Sequence, residues 1–158
     1  MNCQTPTMDL RMNITYHAYL DGDARSVWPS IEPLAHHVFG DDTYDYAGRI
    51  AFHQRLQVLV ARHNDEPIGF KVGYLSRPTR LASWVGGVHR DWRRRGIAGE
   101  LMRRQHTYAT SLGCSTVRTY TSNKFPAMIS LNLAHGFAII GTFTGSDGEP
   151  RLILQKRL

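Results

Sequence analysis

The stretch V-H-R-D-W-R-R-R-G-I-A-G-E-L-M, Val88 to Met102, decides how the rest of this chain reads. Before it, Leu81 to Val88 is β-rich and ends in Gly86-Gly87-Val88. After it, Ile97, Leu101, Tyr108 and Leu112 recur at helical spacing, with Gly113 past the end as a C-cap. Within it, Arg93, Gly96 and Ala98 satisfy R-x-x-G-x-A. A strand that feeds a helix through such a turn makes an anion cradle, because the first N–H groups of a helix lack intrahelical partners and the dipole favours negative charge there. Gly96 permits close backbone approach, and small Ala98 leaves the donors uncovered. The flanking arginines add fork-shaped donors suited to phosphate oxygens, so a pyrophosphate is the natural guest. A triple arginine alone is commonly a solvated or nucleic-acid-facing patch; the position between strand and amphipathic helix supplies the specificity.

Outward from that segment, periodicity predicts a strand over Asn13 to Leu20 and a helix over Ala24 to Phe39 with Val27, Ile31, Leu34 and Val38 on one face. The turn-rich loop G-D-D-T-Y-D-Y-A-G leads to a second helix over Gly48 to Leu56. Val58 to His63 and Ile68 to Leu75 read as a hairpin around N-D-E-P, the second strand alternating Ile68, Phe70, Val72 and Tyr74 with Gly69, Lys71 and Gly73. Gly86-Gly87 marks a bulge or a close approach to the backbone. Thr116 to Thr121 is a further strand, and a helix starts at Pro126 and stops before Gly136. Phe137 to Phe143 and Leu152 to Gln155 close a last hairpin around S-D-G-E-P. The order βααβββαβαββ predicts one α/β domain over residues 1–158 with a mixed, mostly antiparallel central sheet flanked by helices. Residues 1–12 are expected to be an N-terminal extension or a lead-in to the first strand.

At 158 residues the chain has room for one sizeable domain. Its longest apolar runs, Val58 to Ala61 and Phe137 to Ile140, are far below the ~18 residues of a membrane span. No basic start precedes an apolar stretch, so a cytoplasmic protein is expected. Cys3 and Cys114 lack a C-x-x-C partner and read as reduced thiols. The net charge of +6 points to an anionic partner but is unevenly placed. Arg90 to Arg104 carries six arginines and two acids, whereas Asp21 to Asp45 carries six acids and one arginine. No P-loop, no G-x-G-x-x-G, no H-E-x-x-H or paired Cys/His spacing and no G-x-S-x-G occurs, which removes support for nucleotide-fold, metal and serine-hydrolase readings.

With R-x-x-G-x-A after Val88, the βααβββαβαββ order, and T-S-N-K-F-P-A-M-I-S-L-N-L-A-H-G-F, the chain resembles the GNAT superfamily of acyl-CoA-dependent N-acyltransferases. The resemblance implies acetyl-CoA as co-substrate and no metal. Gly87, Val88 and His89 would bind the pantetheine arm through main-chain atoms, and Arg93, Arg94, Arg95, Gly96, Ile97, Ala98 and Gly99 would form the pyrophosphate cradle. Asn123 would contact the cofactor. Asn132 stands where many members carry a tyrosine that protonates the departing thiolate. An amide cannot deliver a titrating proton, so Asn132 would orient the pantetheine or thioester. Tyr120 and His89 complete the catalytic candidates. Asp41, Asp42, Tyr44 and Tyr74 would face a cationic amine, on a small molecule or a protein; a homodimer is admitted and no membrane is implied. Two other readings stay open. The missing tyrosine fits a CoA-binding sensor. The basic stretch fits a nucleic-acid module, which is disfavoured because Trp92 is its one aromatic residue before Tyr108.

Overall fold

A computed structural model describes residues 7–9, 13–41 and 43–158; Asp42 lies outside the described residues, as does most of the predicted lead-in at 1–12. The elements are β1 (Thr7–Asp9), β2 (Ile14–Leu20), α1 (Asp21–Phe39), α2 (Tyr46–Phe52), β3 (Gln57–His63), β4 (Glu66–Arg77) and β5 (Arg80–Val88). After a 3-10 turn at Arg90–Trp92 come α3 (Ile97–Ser111), β6 (Thr116–Thr121), α4 (Pro126–Ala134), β7 (Ala138–Thr144) and β8 (Pro150–Arg157). They build one mixed α/β domain. Among the described residues eight strands run in the order β1-β2-β3-β4-β5-β6-β8-β7, antiparallel except for β5 and β6. The expected order is recovered with β1 added at the edge against β2.

α1 and α2 cover one face, where Trp28, Ile31, Leu34, Tyr46 and Ile50 pack on Val58, Val60, Phe70 and Val72. α3 covers the other, with Ile97 and Leu101 against Leu59, Ile68 and Val88, and Met102 and Tyr108 against Leu81, Val117 and Leu154. α1 keeps its course through Pro29 and Pro33 because its buried stripe of Ala24, Trp28, Ile31, Leu34 and Ala35 anchors it on the sheet.

Two expectations need correcting. The second helix does not run from Gly48 to Leu56 but from Tyr46 to Phe52. Its end is set from far away: Asp21 donates its backbone N–H to the Leu56 carbonyl (2.8 Å) while its Oδ1 accepts from the Leu56 N–H (3.0 Å), which pulls that segment into the sheet. The bulge is also displaced. Val72 pairs with Val85 but Gly73 pairs with Ser83, so the extra residue of β5 is Trp84 rather than either glycine. At Gly87 the close approach is real, since a Cβ there would lie 2.5 Å from Cγ1 of Val38 on α1.

The feature that positions the site is a fork in the sheet. β5 and β6 pair only from Arg80 opposite Thr116 to Ser83 opposite Thr119. Beyond that rung β5 continues beside β4 as far as Val88 without β6 alongside.

Candidate active site

The open edge of β5 has a definite polarity. The His89 N–H donates to the Ile68 carbonyl of β4 (2.8 Å), and Gly87 stands opposite Phe70 in the same ladder. Because main-chain groups alternate sides along a strand, the polar groups of Gly86 and Val88 face the fork. The Val88 carbonyl accepts from Arg93 Nε at 3.1 Å. With that carbonyl engaged, the Val88 N–H and the polar groups of Gly86 are the strand-edge groups that an extended polar chain can take up.

That edge leads into the cradle. Gly96, the N-cap of α3, has φ +79°, and Arg94 has φ +59°. A glycine takes this conformation freely, and a Cβ at Gly96 would meet nothing within 4 Å, so the space above the helix start is open. The first helical bond runs from the Glu100 N–H to the Gly96 carbonyl (3.0 Å). The N–H groups of Ile97, Ala98 and Gly99 thus have no acceptor inside the helix. The arginines divide their work. Arg93 braces Val88, while Arg95 donates to the Asp91 carbonyl (3.3 Å) and lies 4.8 Å over the Trp92 ring. The Arg94 guanidinium enters no hydrogen bond or ion pair among the described residues. Further along, Glu100 holds Arg103 and Arg104, each at 2.7 Å, and both hold its carboxyl below the usual range. Part of the basic stretch is therefore neutralised on the outer face of α3.

An open strand edge thus runs into uncapped amides at a helix start. The chain belongs to the GNAT acetyltransferase family. Residues 23–137 match the family described as "Acetyltransferase (GNAT) family". No curated protein matches the chain. Among solved structures it is similar to the ribosomal-protein-S18-alanine N-acetyltransferase from Escherichia coli (15% identity, 91% of this chain and 93% of that one, TM-score 0.74). A GNAT family acetyltransferase from Elizabethkingia anophelis with acetyl-CoA bound is comparably close in fold (17%, 92% and 99%, 0.69). Nourseothricin acetyltransferase reaches 24% identity, but the chain spans only 65% of that structure, with 65% of its own length and a TM-score of 0.60.

The remaining site candidates of this GNAT enzyme fall into separate places. Asn132 is 3% exposed on α4, and its carbonyl accepts from the Phe137 N–H at 3.0 Å. Its side chain makes no hydrogen bond among the described residues. Asn123 is exposed in the turn between β6 and α4. Tyr120 is 51% exposed and meets Phe143 edge-on. His89 is engaged elsewhere: its ring stacks 4.2 Å from His37, and its Nδ1 accepts from the Asp91 N–H.

On the α1/α2 side, Tyr44 and Tyr74 join an aromatic wall. Tyr44 lies 4.5 Å from Tyr46, Tyr74 stacks 3.6 Å from His53, and His53 and Tyr46 both approach Trp84, the bulged residue. Burial pushes the Tyr46 hydroxyl up to about 12 and raises Tyr74, so both phenols stay protonated. Burial, then Arg49, lowers His53, which is therefore a neutral base at pH 7. The acids expected to attract a cation are largely occupied with backbone. Asp45 caps α2 by accepting from the Gly48 N–H (2.8 Å), Asp21 holds Leu56, and the Asp41 Oδ1 accepts from both N and Oγ1 of Thr43. That Thr43 pairing lowers the Asp41 carboxyl, which keeps its charge while fully solvated.

Sequence reasoning did not single out Tyr46, Arg49, His53 and Trp84, which join Tyr44 and Tyr74 in this wall, or Lys71, which is buried on β4. The sequence carried a signal for Lys71: it is the charged residue between two glycines on one face of a predicted core strand.

Proposed function

We propose that this GNAT enzyme transfers an acetyl group from acetyl-CoA to a primary amine. One observation carries the reading: the β5 edge left open past Ser83 runs into the amide cradle at Gly96. Gly86 and Val88 would hydrogen-bond the pantetheine arm, and the amides of Ile97, Ala98 and Gly99 with the free Arg94 would hold the pyrophosphate. The bound thioester supplies an activated acyl carbon and a thiolate leaving group. Gly96 fits this guest, since the space above the helix start is open there, whereas at Gly86 a Cβ would crowd the Phe70 carbonyl of β4 at 2.9 Å.

The acceptor would enter from the aromatic wall. A free ammonium has pKa ~10.4 and is not nucleophilic, so the site must take a proton from it. Neutral His53, stacked on Tyr74 and 5.4 Å from the ring of Trp84, is suited to that work. Tyr46 is buried and the Tyr44 ring already carries the Arg49 guanidinium at 5.2 Å, so the half-buried Trp84 ring, with the charge of Asp41 on the same side, would meet a cationic amine before deprotonation. The test is release of free thiol from acetyl-CoA across a panel of polyamines, aminoglycosides and peptide amines. Turnover with at least one amine above the hydrolysis background supports the reading; hydrolysis alone, at saturating concentrations of every amine, refutes it.

A further inference from the structure

Lys71 sits in the middle of β4 and is only 8% exposed. It points to the α3 face, as do its neighbours Gly69 and Gly73: a Cβ at Gly69 would meet Cγ2 of Ile97 at 3.0 Å, and one at Gly73 would meet Nε2 of Gln105 at 2.5 Å. Lysine is thus the one side chain in a row of three positions beneath α3. Across the ladder stands Gly86, and a Cβ there would lie 3.3 Å from Cγ of Lys71. The lysine stem therefore lies against Gly86, across β5 from the fork and at the level of the strand past the last rung with β6.

Nothing on the described chain neutralises this ammonium. It enters no hydrogen bond or ion pair among the described residues. The titratable groups near it are His106 of α3, whose protonation Lys71 opposes, and Lys156 of β8, which approaches His106 Nδ1 at 3.2 Å; His135 adds to the positive field. No carboxylate among the described residues influences Lys71, and burial pushes it down to about 8. Beside it, both amide atoms of Gln105 and Nε2 of His106 are buried without partners. A buried cation among unpaired polar atoms is costly unless an anion arrives. This cluster of buried polar groups lies on the α3 face of the sheet.

We propose that Lys71 donates the proton to the departing CoA thiolate, the task that Asn132 cannot perform. The inference rests on the acyl-transfer reading above. The acceptor nitrogen, deprotonated to its neutral form, attacks the thioester carbonyl carbon and the C–N bond forms. The C–S bond then breaks with its electron pair going to sulfur, and the Nζ proton of Lys71 moves to sulfur, leaving neutral lysine and the free thiol of CoA. The proton displaced from the acceptor nitrogen passes to His53 and solvent, and Lys71 is reprotonated from solvent after CoA leaves. A donor must be protonated to act, so kcat falls as pH rises through the lysine's own titration.

The test uses the full chain and its variants Lys71→Met and Lys71→Arg. Bound CoA is titrated by its ultraviolet thiolate absorbance, and kcat is followed against pH by thiol release. In wild type the bound thiol is expected to ionise at lower pH than free CoA, and kcat to lose activity in the alkaline range with a midpoint near 8. In Lys71→Met the thiol should return to its free behaviour, kcat should drop about 100-fold or more, and the alkaline limb should vanish. Its melting temperature should rise, because an uncompensated buried charge is gone; a lysine serving only structure would do the reverse. Lys71→Arg should keep the thiolate stabilised without restoring the rate. Identical thiol titration and identical pH profiles in wild type and Lys71→Met overturn the proposal. If wild type neither binds CoA nor releases thiol with any amine, the acyl-transfer reading falls and this inference falls with it.

Discussion

Gly96 separates the backbone requirement of the cradle from its electrostatic one. Its φ of +79° is left-handed, so any L side chain there is strained, yet a Cβ would touch nothing within 4 Å. Gly96→Ala should therefore cost about 1 kcal/mol of stability, all of it conformational, which for a domain of this size lowers the melting temperature by roughly 2–4 °C. Gly96→Glu carries the same strain but places a carboxylate before the free amides of Ile97, Ala98 and Gly99. In the unliganded protein that charge is favourable at a helix N-terminus, by about 0.3–1 kcal/mol, so the glutamate variant should be no less stable than the alanine variant. For an anionic pyrophosphate the order reverses. The carboxylate competes for the donors and repels the ligand, and acetyl-CoA affinity should fall at least tenfold further than in Gly96→Ala, about 1.4 kcal/mol. Thermal melts and calorimetric titration with acetyl-CoA measure the two effects independently. Equal acetyl-CoA affinities in the two folded variants would refute the placement of the pyrophosphate at this helix start.

Other substitutions probe the acceptor, the cofactor helix and the buried histidine. Asp41→Asn should raise KM for a cationic amine while leaving KM for acetyl-CoA in place, with the effect shrinking as salt is added; a change confined to acetyl-CoA would remove Asp41 from the acceptor side. Asn132→Ala should raise KM for acetyl-CoA without altering the pH profile of kcat, since an amide does not titrate; loss of the alkaline limb in this variant would make Asn132 part of the proton relay. His106 is pushed down to about 3 by burial, with Lys156 and Lys71 adding to the effect. Because the unfolded chain takes up that proton first, its contribution to stability is complete above pH 6.5 and is lost as pH falls toward about 3. At a pH about one unit below 6.5 the loss should reach about 1.4 kcal/mol at most, reduced by the partial solvation of the ring. His106→Leu should flatten the acid side of the melting-temperature profile, and an unchanged profile would contradict a neutral His106.

The elements of the domain are local consequences of the sequence. Helical spacing at Ile97, Leu101 and Tyr108, Pro126 at a helix start, and strict alternation from Ile68 to Tyr74 each act within a few residues, so their structures match the reading nearly residue for residue. The cradle was legible for the same reason, because a glycine before an amphipathic helix after a strand specifies its own donors. What the chain does with those elements depends on distant partners. The end of α2 is decided by Asp21, thirty-five residues before Leu56. The extra residue of β5 is decided by register against β4, which moved the bulge from Gly86-Gly87 to Trp84. The acids of the loop look alike in sequence, but Asp45 is spent on a helix cap and Asp41 on a turn, a division that only folded geometry makes. Lys71 is the clearest case. Composition counts it as one surface-type charge among nineteen lysines and arginines, and only the sheet, by burying it between two glycines with no carboxylate among the described residues to pair it, pushes its ammonium down to about 8. Periodicity is written along the chain, whereas desolvation and pairing belong to neighbours that the chain brings together from afar.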